Sequence, residues 1–206
     1  PNALGEYSSA LEETRADLFG LYYLADPKMV ELGIVPDMEA YKAQYASFIR
    51  NGIFTQFTRV ELGKKNMESH MQDRKLIAQW CYEKGLADNV IEKKVRDGKT
   101  YFVVNDFEAL RGLFGDLLAE VQRIKSEGDY QAGKALVETY AVNIDYDLHK
   151  EVLERYSSLG LKPYGGFVNP DIVPVKKGGK VVDYKLEYAD SYLGQMLHYG
   201  SKYSTL

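Results

Sequence analysis

Three acidic residues fall within six positions, Glu12-Glu13-Thr14-Arg15-Ala16-Asp17, directly before the apolar run Leu18-Phe19-Gly20-Leu21-Tyr22-Tyr23-Leu24. The pattern predicts a helix over 8–25, capped by Ser8 or Ser9 and largely buried. Carboxylates on such a helix are costly unless a cation or a metal answers them. Glu13 and Asp17 are four apart and share a face, whereas Glu12 points about 100° away on the same turn. Spacing alone leaves two readings open. The acids are a solvated first turn favoured by the helix dipole, or one of them binds a metal that the others orient.

The rest of the chain narrows the setting. Its 206 residues suffice for one sizeable domain. A net charge of −4 without a basic block argues against nucleic acid. No run of about 18 apolar residues predicts a membrane span, and no signal-peptide pattern is present. The single cysteine, Cys81, excludes an internal disulfide framework and fits a reducing, cytoplasmic compartment.

Periodicity predicts a mainly α fold, a bundle-like domain with one or two small β-hairpins. Asp26-Pro27 interrupts the first helix, and residues 32–36 form a loop. Asp37 caps a second helix over about 38–50, with Met38, Tyr41, Tyr45, Phe48 and Ile49 on its apolar side. A third spans 66–84 with Met67, Met71, Ile77, Trp80 and Cys81 in the core, and Gly85 ends it. Arg96-Asp97-Gly98-Lys99 between β-prone runs predicts a hairpin. Asn105 or Asp106 caps a helix running to about Ser126, and further helices follow over 130–141 and 145–159. From Gly160 the composition changes. Gly160, Pro163, Gly165, Gly166, Pro170 and Pro174 predict irregular backbone. Residues 172–175 and 181–186 make a second hairpin around Lys177-Gly178-Gly179-Lys180, and a short helix covers 189–199. We expect one domain over 1–206, with 160–206 a hairpin-containing tail packed on it.

A second group of polar residues is Glu68-Ser69-His70-Met71-Gln72-Asp73-Arg74. His70 and Arg74 are four apart and project from one face, a pair suited to a substrate carboxylate or a developing oxyanion. The simpler reading is a surface histidine beside a helix-stabilising arginine. His149 and His198 lack such neighbours and read as structural or exposed. No His-Glu-x-x-His, Cys-x-x-Cys, phosphate-binding loop or Gly-x-Ser-x-Gly elbow occurs.

Glu12-Glu13-Thr14-Arg15-Ala16-Asp17, with Gly20-Leu21-Tyr22, resembles the second zinc motif of the dipeptidyl peptidase III family. Ser69-His70-Met71-Gln72-x-Arg74 is similar to that family's active-site histidine segment. Lys125-Ser126-Glu127-Gly128-Asp129, followed by Gly133-Lys134-Ala135-Leu136, resembles its Lys-Ser-x-Gly-Asp region. The resemblance implies zinc-dependent removal of dipeptides from the N-terminus of short peptides. It implies that Glu13 is the third zinc ligand, that Glu12 and Asp17 orient the metal site, and that His70 stabilises the reacting carbonyl with Arg74 near the substrate. Thr14 stands where the family has Cys, and Asp17 where Glu is more familiar. The family's first zinc motif, His-Glu-x-x-Gly-His, is not in this sequence. In the family that motif precedes the Glu-Glu pair, and this chain begins at Pro1. The expectation is therefore a C-terminal fragment of the catalytic region, inactive and without tight Zn2+ alone, whose partners are short peptides and the missing N-terminal part. Two other readings share these residues: a non-catalytic helical interaction domain derived from the family, and another metallohydrolase using Glu13.

Overall fold

The computed structural model describes residues 3–161 and 167–204. It divides into two compact units, Pro1–Leu159 and Gly160–Leu206. The mainly α expectation is met: eight α-helices and two two-stranded antiparallel sheets are present among the described residues. None of these helices is long and apolar enough to cross a membrane.

In the first unit, α1 (Ser8–Leu24) buries Ala10, Leu11, Thr14, Leu18 and Leu21, a stripe at helical spacing. Each such leucine removed from water is worth about 2 kcal/mol. Neither Ser8 nor Ser9 caps the helix, because a 3-10 turn over Gly5–Tyr7 runs straight into it. Asp26 ends the run as expected. It adopts an extended conformation before Pro27 and caps α2 (Pro27–Glu31) by accepting from Lys28 N.

Helix α3 (Ala40–Ile53) starts two residues later than expected. Asp37 accepts from the backbone of Glu39 and Ala40, so the turn it closes precedes the helix. Tyr45 of α3 is fully buried. Its hydroxyl donates to Leu21 O of α1 at 2.7 Å, and its ring meets Phe114 edge-to-face at 4.9 Å. Helix α4 (Ser69–Lys84) packs against both α1 and α3. Met67, expected in the core, is 72% exposed because it precedes the Glu68 cap and lies outside the helix.

Strands β1 (Ile91–Arg96) and β2 (Lys99–Val104) form the first hairpin, with Asp97 and Gly98 both at positive φ. Asp106 caps α5 (Phe107–Glu127), whose face with Leu110, Phe114, Leu117, Val121 and Ile124 lies against α1. Helix α6 (Tyr130–Val137) widens into a π-helical turn over Glu138–Val142. The carbonyls at the end of this run are satisfied from outside it. Tyr140 O accepts from Lys75 Nζ at 2.8 Å, Ala141 O from Asn66 Nδ2 at 3.0 Å, and Val142 O from Asn66 N at 2.9 Å. Asp145 caps α7 (Tyr146–Ser158), which carries the buried His149. Its Nε2 lies 3.1 Å from Phe57 O and 3.0 Å from Val60 O, so this histidine is structural.

In the second unit, β3 (Pro170–Lys177) pairs with β4 (Lys180–Tyr188) around Gly178 and Gly179, both at positive φ. Pro170 and Pro174 lie within β3 rather than in irregular backbone. A two-stranded sheet has free edges on which a missing N–H costs nothing. Pro163, Gly165 and Gly166 lie outside the described residues. Helix α8 (Tyr192–Tyr203) is tied to the start of the hairpin: Gln195 donates to Phe167 O, and His198 Nε2 lies 3.1 Å from Asp171.

Candidate active site

The turn of α1 sends its two adjacent glutamates to different neighbours. Glu12 meets Arg15 of its own helix and Lys125 at the end of α5, each at 2.5 Å. Lys125 first, and Arg15 second, hold its carboxyl below the usual carboxylate range. Glu13 faces α4, and its Oε2 lies 3.3 Å from Nδ1 of His70. No lysine or arginine pairs with Glu13 among the described residues. Its side chain keeps 34% of its exposure, so carboxylate lone pairs remain open.

His70 owes its place to the cap of α4. Glu68 accepts from His70 N at 3.1 Å and Met71 N at 3.0 Å, which sets the first turn beside α1. Arg74, one turn further, lines a cleft of about 960 Å³ together with Asp17, Arg50, Asn51, Thr55 and Arg59. Gly52 sets how closely α3 approaches here. A Cβ on it would overlap the Arg74 backbone oxygen and stand 2.7 Å from the Ala78 Cβ.

Asp17 is answered by another acid rather than a cation. Asp73 of α4 is 1% exposed and hydrogen-bonds through its side chain to Asp17. Two carboxyl groups can share such a bond only if one carries a proton. Burial, followed by the Asp17 charge, pushes the Asp73 carboxyl up to about 8, so Asp73 holds it. Two positions along, burial brings the Lys75 amine down to about 8.

The structure thus brings Glu13 to His70 directly and places Asp17 with Arg74 in one cleft. It turns Glu12 away, toward Lys125. Lys125 and Asp73 have no assigned role in the sequence reading. Lys125 lies in the Lys-Ser-x-Gly-Asp segment, whose other parts end one helix and start the next: Gly128 is left-handed, and Asp129 caps α6. Asp73 carried a signal, since it is an acid on the same stripe as the buried Leu76, Ile77 and Cys81.

For zinc, the donors present make an incomplete set. Glu13 suits one carboxylate position. Among the described residues no three His, Cys, Asp or Glu side chains converge on a point that would hold a metal ion.

The sequence profile of Peptidase family M49 matches residues 2–188. The chain belongs to peptidase family M49. It is similar to the solved structure of DPP III from Caldithrix abyssi, with a TM-score of 0.53 and 26% identity, over 74% of this chain and 26% of that chain. The chain thus spans about a quarter of the length of that relative. No curated protein matches it.

Proposed function

We propose that this chain forms one wall of the active site of a longer zinc-dependent dipeptidyl peptidase, which removes dipeptides from the N-terminus of short peptides. Membership of family M49 supports peptide hydrolysis. The observation that carries the reading is the pairing of Glu13 with His70 while Glu12 next to it is saturated by cations. A carboxylate left without lysine or arginine is the one available to a metal.

In this reading Glu13 is the chain's metal ligand. Glu12, clamped by Lys125 and Arg15, fixes the helix turn that presents Glu13, and Asp17 orients the same face from one turn further. His70 directs Nδ1 to Glu13 and presents Nε2 to the substrate carbonyl, with Arg74 holding the substrate beyond it. A zinc ion bound there supplies Lewis acidity and a water whose pKa falls toward about 7. The remaining ligands belong to an upstream part of the protein, which is also a partner in closing the site. The chain alone neither retains zinc tightly nor cleaves peptides, and the protein works in the cytoplasm.

Elemental analysis of the complete peptidase tests the assignment. Glu13→Ala should abolish zinc retention, and His70→Ala should lower turnover far more than zinc content. Equal metal in wild type and Glu13→Ala would remove Glu13 as a ligand.

A further inference from the structure

The cleft beside Asp17 holds three guanidinium groups, those of Arg50, Arg59 and Arg74, and one lining carboxylate, that of Asp17. None of the three arginines forms an ion pair among the described residues. Other arginines of the first unit do: Arg15, Arg111, Arg123 and Arg155 each meet an acid. Arg74 has an acidic neighbour in sequence, but that residue is Asp73, which is buried and accepts from the Arg74 backbone N–H. The other polar groups of the lining, Gln44, Ser47, Asn51 and Thr55, are neutral.

The location matters as much as the charge. Asp17 stands one helical turn from Glu13, about 6 Å along α1 at 1.5 Å per residue. Arg74 stands one turn from His70 on α4. The cleft therefore begins one helical turn from the Glu13–His70 pair, a span of about two extended residues at about 3.3 Å each. Its volume of about 960 Å³ is that of a ligand site for a few residues. Arginine's planar fork is matched to carboxylate.

We propose that this cleft selects acidic peptides, with Arg50, Arg59 and Arg74 receiving substrate carboxylates on the Asp17 side of Glu13. The inference rests on the peptidase reading above and names its substrate class. The carboxylates are those of acidic side chains, and recognition of the peptide's C-terminus alone is the outcome that the test separates.

The test is calorimetric titration of the 206-residue chain with triglutamate, triglutamine, and each as its C-terminal amide, at low and at high salt. Triglutamate should bind about tenfold or more tightly than triglutamine, as charged hydrogen bonds of this kind provide, and salt should erode the difference. Loss on changing Glu to Gln that persists in the amides assigns the side chains, whereas loss on amidation alone overturns the acidic selection. Arg50→Gln and Arg59→Gln should each cut the discrimination about threefold or more, whereas Arg96→Gln, at the β1–β2 turn, should not. Equal binding of acidic and neutral peptides, binding of neither, or a double Arg50→Gln/Arg59→Gln variant with undiminished discrimination would overturn the proposal. In the complete peptidase the readout is the ratio of kcat/KM for acidic over neutral peptides. Cleavage without regard to charge sinks the charge selection and leaves the peptidase reading standing. Charge-selective binding without any cleavage does the reverse.

Discussion

Lys125, in the last turn of α5, closes on Glu12, in the first turns of α1, across 2.5 Å. The contact joins two motifs far apart in sequence and leaves Glu13 as the unclamped member of its pair. Lys125→Met should lower stability by only about 0.5–1 kcal/mol, since Glu12 is half exposed and keeps Arg15. If Glu13 is the metal ligand proposed above, the complete peptidase should lose zinc affinity by roughly 10–100-fold, as on loss of a residue supporting a ligand. Zinc competition assays on the two proteins decide the second point. Unchanged affinity would reduce the contact to a tie between helices.

Asp73 makes stability depend on pH in a stated direction. Its carboxyl titrates at about 8 folded, against an ordinary 3.8. Between those values the folded chain binds more protons than the unfolded one, so stability falls as pH rises from about 4 to 8 and then levels. Asp73→Asn keeps a hydrogen-bond donor for Asp17 and removes the titration. Its denaturation midpoint should vary less over that range and exceed that of wild type at pH 8, by a few kcal/mol at most. A wild-type profile as flat as the variant's would show that Asp73 is ionised throughout.

Gly52 is where α3 approaches α4 most closely beneath Arg74. Gly52→Ala drives a methyl into backbone rather than into a flexible side chain, and should cost about 1–3 kcal/mol. Urea unfolding measures it. An unchanged midpoint would mean that the helices move apart freely.

Tyr45→Phe removes the donor to Leu21 O while keeping the ring against Phe114. The expected loss is about 1 kcal/mol, read from thermal unfolding. Tyr45→Ala should cost several times more through the cavity it leaves.

The elements of this fold were largely legible because their signals are local. Asp26, Asp106 and Asp145 each satisfy a backbone group within a few residues, Asp97-Gly98 takes the positive φ of a tight turn, and the helices of the first unit bury stripes at the expected period. The failures have a common cause. Met67 has the hydrophobicity of a core residue, but the Glu68 cap starts the helix after it. In the site, His70 and Arg74 share a helix face by spacing alone, whereas the meeting of Glu13 with His70 depends on how α1 crosses α4. The Lys125 and Asp73 contacts are long-range too, and no period along the chain encodes them. Asp17 is the clearest case. Its charge asked for a cation, and tertiary packing answered with a neutral acid.

The π-helical turn at Glu138–Val142 carries one residue more per turn than an α-helix. Because the run ends at Val142, the carbonyls of Tyr140, Ala141 and Val142 have no helical partner ahead, and the wider turn sets where they meet Lys75 and Asn66. Deleting a single residue there would turn these carbonyls out of register, and would strand a buried ammonium and a buried carboxamide. The segment should therefore accept changes of side chain far more readily than changes of length. What the segment has to keep is the number of its residues, not their names.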